Sequence, residues 1–207
     1  MKKFITIMCM AVLCSFSYAQ DKGKTYLNLN YSSAKISQPN TGKISNDFGA
    51  GITVGHNYFL HKEPVAKMLR FGIDAVWFDL NYNKFSYNRS DYYGGFSDEK
   101  LHQGEVGMQV GPSVTITPVK KLNIKTYFKY APSCAILHDT GSGDVSCNYA
   151  SMFVGGMSVN YGVIGVGIEA RFGSSEQKEY TFIKHTSNDE KVSTDVSGMR
   201  VYLSFCF

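Results

Sequence analysis

Residues 199–207 read MRVYLSFCF. Met199, Val201, Leu203, Phe205 and Phe207 take alternate positions, and period two places all five side chains on one face of a β-strand. Chain ends ordinarily fray into water and are polar. Here every second side chain is apolar up to the last residue, so this face needs an apolar surface to lie against.

The other end of the chain narrows what that surface is. MKKFITIMCMAVLCSFSYAQ, residues 1–20, begins with Lys2 and Lys3, runs apolar from Phe4 to about Phe16, and then carries Ser17, Tyr18 and Ala19. A basic start, an apolar middle and small residues at the first and third positions before a cut describe a secretory signal peptide. The cut is expected between Ala19 and Gln20. Residues 1–19 are then the signal peptide, and residues 20–207 form one domain. The apolar run falls short of the ~20 residues that a transmembrane helix needs, so it reads as a leader rather than an anchor. Loss of Lys2 and Lys3 lowers the formal charge from +4 to +2, which gives no reason to expect a nucleic-acid partner.

The alternation at the end of the chain recurs along it. Leu27, Leu29 and Tyr31 alternate with asparagines. Phe48, Ala50, Ile52, Val54 and Tyr58 alternate with Gly49, Gly51, Thr53, Gly55 and Asn57. Phe71, Ile73, Ala75 and Trp77 are spaced by Gly72, Asp74 and Val76. Val106, Met108, Val110, Val114 and Ile116 form a fourth run; Leu122, Ile124, Phe128 and Tyr130 a fifth; Phe153, Met157, Val159 and Tyr161 a sixth; Ile164, Val166, Ile168, Ala170 and Phe172 a seventh. Residues 199–207 make the eighth. The connections alternate too. Short ones are expected at about 61–67, 117–121 and 161–163, and long polar loops at about 35–47, 83–100, 133–148 and 173–196. Short turns at one end and long loops at the other describe an up-and-down barrel with both termini on the short-turn side.

Alternation alone does not say which face points outward. A soluble lipocalin-like barrel keeps its apolar face inside, around a small apolar ligand; a membrane barrel turns it out. Three features favour the membrane orientation. The polar face is rich in glycine, which a solvated strand gains nothing from but a narrow eight-stranded bore requires. The same face carries both signs of charge, in Arg70, Asp74, Glu105, Lys125, Lys129, Glu169, Arg171 and Arg200, so these side chains can pair inside. Aromatic residues recur near the ends of the apolar runs, where an interfacial girdle belongs. The expected fold is all-β: an eight-stranded up-and-down antiparallel transmembrane β-barrel. Its lumen is expected to hold those eight charges as a network of five positive and three negative groups, with the surplus met by other polar groups.

On this layout the chain resembles the small OmpA/OmpX-like group of bacterial outer-membrane β-barrels over nearly all of residues 20–207. Leu203, Phe205 and Phe207 resemble the C-terminal assembly signal of such barrels. The resemblance implies residence in the bacterial outer membrane, contact with outer-membrane lipid, and recognition by the barrel-assembly machinery during insertion. Cys206, beside the terminal aromatic, departs from the pattern and is expected to face inward.

Few motifs suggest chemistry. Asp139-Thr140-Gly141-Ser142 matches the tetrapeptide of aspartic proteases, but that chemistry needs two carboxylates, and the segment reads better as a turn. His185-Thr186-Ser187 resembles the His-x-Ser pair of outer-membrane lipid A deacylases, yet falls in an expected loop rather than on a barrel wall. The histidines at 56, 61, 102, 138 and 185 lack ligand spacing. No catalytic residue, metal site or cofactor is therefore assigned. Cys134 and Cys147 bracket the third long loop with the parity of the outward side chains, which leaves two readings, a disulfide between them or two unpaired thiols. The function expected is that of a structural or surface-interaction protein whose four long loops meet an extracellular partner. A narrow channel, a lipid-modifying barrel and the lipocalin-like binder are the alternatives.

Overall fold

Eight strands follow one another around a closed antiparallel barrel in the computed structural model, which describes residues 23–38, 42–90, 96–140, 145–178 and 191–207. They are β1 (Gly23–Gln38), β2 (Gly42–Phe59), β3 (Leu69–Ser90), β4 (Phe96–Val119), β5 (Leu122–Asp139), β6 (Val145–Tyr161), β7 (Ile164–Lys178) and β8 (Lys191–Cys206). The Ala19–Gln20 junction and His185-Thr186-Ser187 lie outside the described residues. β8 closes the ring on β1, with Leu203 opposite Leu29 and Phe205 opposite Leu27, and the Phe207 N–H donates to the Thr25 carbonyl. Every strand therefore has two partners, and no edge is left open.

The register gives the stagger. From Thr25 it passes through His56, Ala75, Val110, Tyr130, Phe153, Phe172 and Ser197, and returns to β1 at Lys35, ten residues further along. Such an offset tilts the strands and sets the narrow bore of an eight-stranded barrel. The short-turn end has tight connections at Lys120–Lys121 and Gly162–Val163, and a longer one between Phe59 and Leu69. At the other end the expected long loops are mostly strand. β3 and β4 stay paired out to Ser90 and Phe96, and β5 and β6 out to His138 and Val145. The polar composition of these segments hid the pairing, since hairpins standing in water need no apolar outer face.

Polarity is turned inside out along the middle of the barrel. Phe71, Ile73, Trp77, Val110, Ile164, Val166, Ile168, Met199 and Val201 are exposed on the outer wall, whereas Asp74, Asp79, Lys129 and Arg200 are buried. At ~3.3 Å per residue and a tilt of ~45°, the outer run from Phe71 to Tyr82 rises roughly 25 Å, the height of a lipid-facing band. Aromatic side chains border it at both ends: Tyr58, Phe71 and Tyr161 toward the short turns, and Tyr31, Phe48, Tyr82 and Tyr149 toward the hairpins.

Beyond Tyr82 the polarity reverses. Phe85, Leu101, Leu137 and Ile36 turn inward and pack together, joined by Ala34 and Ile44. Outside them stand Lys84, Ser86, Lys100, His102 and His138. The hairpin end of the barrel is thus built like a soluble protein, with its apolar residues at the centre.

Candidate functional site

The lumen holds the densest polar chemistry of the described residues. Three β-strands meet at Arg200, which β8 aims into the bore. Its Nη1 lies 3.1 Å from Asp79 Oδ2 on β3 and 3.0 Å from Glu169 Oε1 on β7, and the side chain is only 2% exposed. Asp79 also accepts from the Thr53 hydroxyl at 2.8 Å and from Gln109 Nε2 at 2.8 Å. Glu169 accepts from the Tyr127 hydroxyl at 3.0 Å. Toward the hairpin end, Arg171 donates to Glu105 from both Nη1 and Nη2, and Arg171 Nη2 also lies 4.0 Å from Asp79. Two parallel N–H···O bonds are the strongest geometry open to an arginine and a carboxylate. Toward the short-turn end, Lys125 Nζ lies 2.6 Å from Asp74 Oδ2 and Lys129 Nζ lies 3.9 Å from Asp74 Oδ1, while the Tyr26 hydroxyl donates to the same carboxylate.

Of the eight charges assigned to the lumen by parity, the structure brings seven together. Arg70 is the exception. It sits at the turn end of β3, partly exposed, with its guanidinium over the Phe59 ring at 5.0 Å from the centroid. Its position at the start of the strand puts it at the mouth, where water reaches it, rather than in the bore. Asp79 takes its place in the network. The alternation in β3 shifts by one residue between Val76 and Asp79, where a bulge leaves both Trp77 and Phe78 facing outward. Before the bulge the even-numbered residues face in; after it Asp79, Asn81 and Asn83 do. The signal was present in the sequence as two consecutive aromatics, Trp77-Phe78, followed by Leu80 and Tyr82 in the opposite parity.

With Arg70 removed and Asp79 added, the network holds Asp74, Asp79, Glu105 and Glu169 against Lys125, Lys129, Arg171 and Arg200. It is charge-balanced, which corrects the expected surplus of positive groups. Balance matters because a buried charge must have a partner; deleting one member of a buried pair typically costs about 3–5 kcal/mol.

Tyrosine rings fill the space between these charges, and glycine makes room for them. Tyr127 lies opposite Gly156, and Tyr202 opposite Gly167. A Cβ on either glycine would collide with the facing ring. Laid flat over the neighbouring strand, the two rings bring their hydroxyls to 2.9 Å from each other. Lys125 and Lys129 stack over Tyr26 and Tyr127, each at 4.1 Å from a ring centroid. The glycine-rich inner face is thus a consequence of what the bore must accommodate.

The remaining sequence candidates separate clearly. Cys134 and Cys147 stand exposed on the outer wall with their Sγ atoms 2.6 Å apart, diagonal across β5 and β6. Cys206 turns inward toward Ser204 and Asn160. Leu203 and Phe207 face outward, and Phe205 is half-buried in the same row. Asp139 and Thr140 end the β5 hairpin, while Gly141 and Ser142 lie outside the described residues. Among the described residues, no group of three or more His, Cys, Asp or Glu side chains could hold a metal ion.

The fold is the one found in small outer-membrane β-barrels. Neisserial surface protein A is similar over 90% of this chain and 100% of its own, with a TM-score of 0.52 and 11% identity. Ail, the attachment invasion locus protein of Yersinia pestis, aligns over 90% of this chain and 99% of its own, with a TM-score of 0.44 and 7% identity. The outer-membrane protease OmpT of Escherichia coli aligns over 91% of this chain and 98% of its own, with a TM-score of 0.46 and 10% identity. At these identities the likeness is one of architecture and carries no activity. No protein-family model and no curated protein matches the sequence.

Proposed function

We propose that the chain is a bacterial outer-membrane β-barrel that acts as a structural and surface-interaction protein, with a sealed wall that holds four hairpins outside the membrane. The observation that carries this reading is the inverted polarity: Val166 and Ile164 exposed on the outer wall, and Arg200, Asp79 and Glu169 paired within. Water would not stabilise such an outer wall, whereas hydrocarbon would. In this reading outer-membrane lipid covers the band, the barrel-assembly machinery handles the outward row of Leu203, Phe205 and Phe207, and a partner outside the cell meets the hairpins.

The alternatives fit the geometry less well. A lipocalin-like binder needs an apolar cavity, and this bore is filled by charges and tyrosines. A channel needs an open path; here the charge network and the apolar cluster of Phe85, Leu101, Leu137 and Ile36 block the bore at two successive levels. Membrane fractionation tests the proposal. The protein should sediment with outer membranes and migrate on gels at two mobilities, unheated and boiled. Recovery only in a soluble fraction would overturn it, and stepwise conductance in planar bilayers would favour the channel.

A further inference from the structure

Three neighbouring strands reverse their polarity along one line of register. On β3 the outward series Leu80, Tyr82 gives way to Lys84, while the inward series Asn81, Asn83 gives way to Phe85. On β4, Val106 gives way to His102 outside, and Gln103 to Leu101 inside. On β5, Ile136 gives way to His138 outside, and Ser133 to Ala135 and Leu137 inside. The register sets Lys84 directly opposite His102, and His102 directly opposite His138. Adjacent strands lie ~4.8 Å apart, so the three nitrogen-bearing side chains form one short row around the outside of the barrel.

This row marks the point where the wall stops being apolar and the core starts to be. It therefore stands where hydrocarbon ends and lipid headgroups begin, on the side of the hairpins. The Tyr82 hydroxyl, 2.6 Å from His102 Nδ1, fixes the imidazole from below. Neither Lys84 nor His138 makes an ion pair or a side-chain hydrogen bond within the described residues. The exposed Asp47 carboxylate accepts from the Ser86 hydroxyl at 2.5 Å.

We propose that Lys84, His102 and His138 form a binding site for the phosphate of an anionic membrane lipid, whose acyl chains lie against Leu80, Tyr82, Val106 and Ile136 beneath. A free phosphate would use the row alone. The lipid uses both the row and the wall directly below it, and that juxtaposition is the argument for a lipid. Lysine near a membrane surface gains from anionic headgroups, and an imidazole nitrogen donates to a phosphate oxygen in either charge state. The site rests on the membrane reading above, so its test must separate the two.

The test compares purified protein inserted into phosphatidylcholine vesicles with protein inserted into vesicles of phosphatidylcholine and phosphatidylglycerol. Lipid retained after detergent extraction is counted by native mass spectrometry. Wild-type protein should retain phosphatidylglycerol selectively. A Lys84→Gln, His102→Gln, His138→Gln triple variant should lose on the order of tenfold in that preference. Lys120→Gln with Lys121→Gln, at the short-turn end, should keep it. Inorganic phosphate at millimolar concentration should not displace the lipid. Insertion without lipid preference, a triple variant that retains phosphatidylglycerol as well as wild type, or displacement by inorganic phosphate would each overturn the site while leaving the membrane barrel intact. Failure to insert into either vesicle would overturn both.

Discussion

Arg200 and Asp79 lie 121 residues apart in the chain, yet Nη1 of the arginine reaches both carboxylate oxygens, at 3.2 and 3.1 Å. The contact ties β8 to β3 through the interior of the barrel. Asp79→Ala would leave Arg200 with Glu169 alone and Arg171 with Glu105 alone. Unfolding free energy in vesicles, from urea titration, should fall by about 3–5 kcal/mol. Glu169→Ala should act in the same direction. Arg70→Gln at the mouth and Lys100→Ala on the outer face should change little, since exposed charges are worth roughly 0–1 kcal/mol. Equal stability of Asp79→Ala and Arg70→Gln would show that the network does not hold the barrel together.

Tyr202 and Gly167 make a second, steric test. Gly167→Val places a branched side chain where the ring of Tyr202 lies. Overpacking of this kind costs about 1–3 kcal/mol, read as a lower urea midpoint. Combining it with Tyr202→Ala should recover part of the loss, because the collision is then relieved. Additive losses in the double variant would mean that the ring and the glycine are not coupled.

Cys134 and Cys147 make a redox test. Beside Ile136 they end up against lipid, but export first carries the chain through an oxidising compartment, where an oxidant can reach them. We expect the two thiols to give up two electrons and two protons to a disulfide-bearing oxidant of the export compartment and to join as one disulfide. With residues 1–19 removed, the chain carries Cys134, Cys147 and Cys206. Thiol titration in urea should therefore find one reactive group per chain before reduction and three after it. Three before reduction would rule the disulfide out.

The outward position of Phe207, 52% exposed beside the closing seam, suits contact with lipid or with an assembly factor. Phe207→Asp should reduce the amount inserted in the outer membrane at unchanged synthesis, measured by fractionation and by heat-modifiable mobility. Wild-type levels of inserted protein would count against both roles.

Much of this architecture was legible in the sequence, and the reasons differ from place to place. The strand number, the turn positions and the outward rows followed from period two, because a barrel wall between two unlike solvents forces strict alternation. Glu105, Arg171, Arg200, Lys125 and Asp74 could be placed by parity for the same reason. Asp79 could not, because the bulge at Trp77-Phe78 shifts the parity, and a rule that extends alternation unbroken carries it past that point. Phe85, Leu101 and Leu137 were lost within segments that looked like loops. Above the membrane the outer face is polar, so alternation there has the opposite sense and its composition resembles that of exposed turns. The partners of each charge were not legible, since they depend on the stagger that brings β3, β7 and β8 to one level.

Trp77 offers the most direct measurement of which solvent the outer wall meets. It is the single tryptophan of the chain and is 56% exposed near the middle of the apolar band on β3. Its fluorescence should be recorded in vesicles whose acyl chains carry bromine at defined depths, and again with acrylamide in the water. A lipid-facing wall requires blue-shifted emission, strong quenching by bromine near the bilayer centre, and weak quenching by acrylamide. Emission typical of water, quenched by acrylamide and untouched by brominated chains, would contradict the membrane barrel at its foundation.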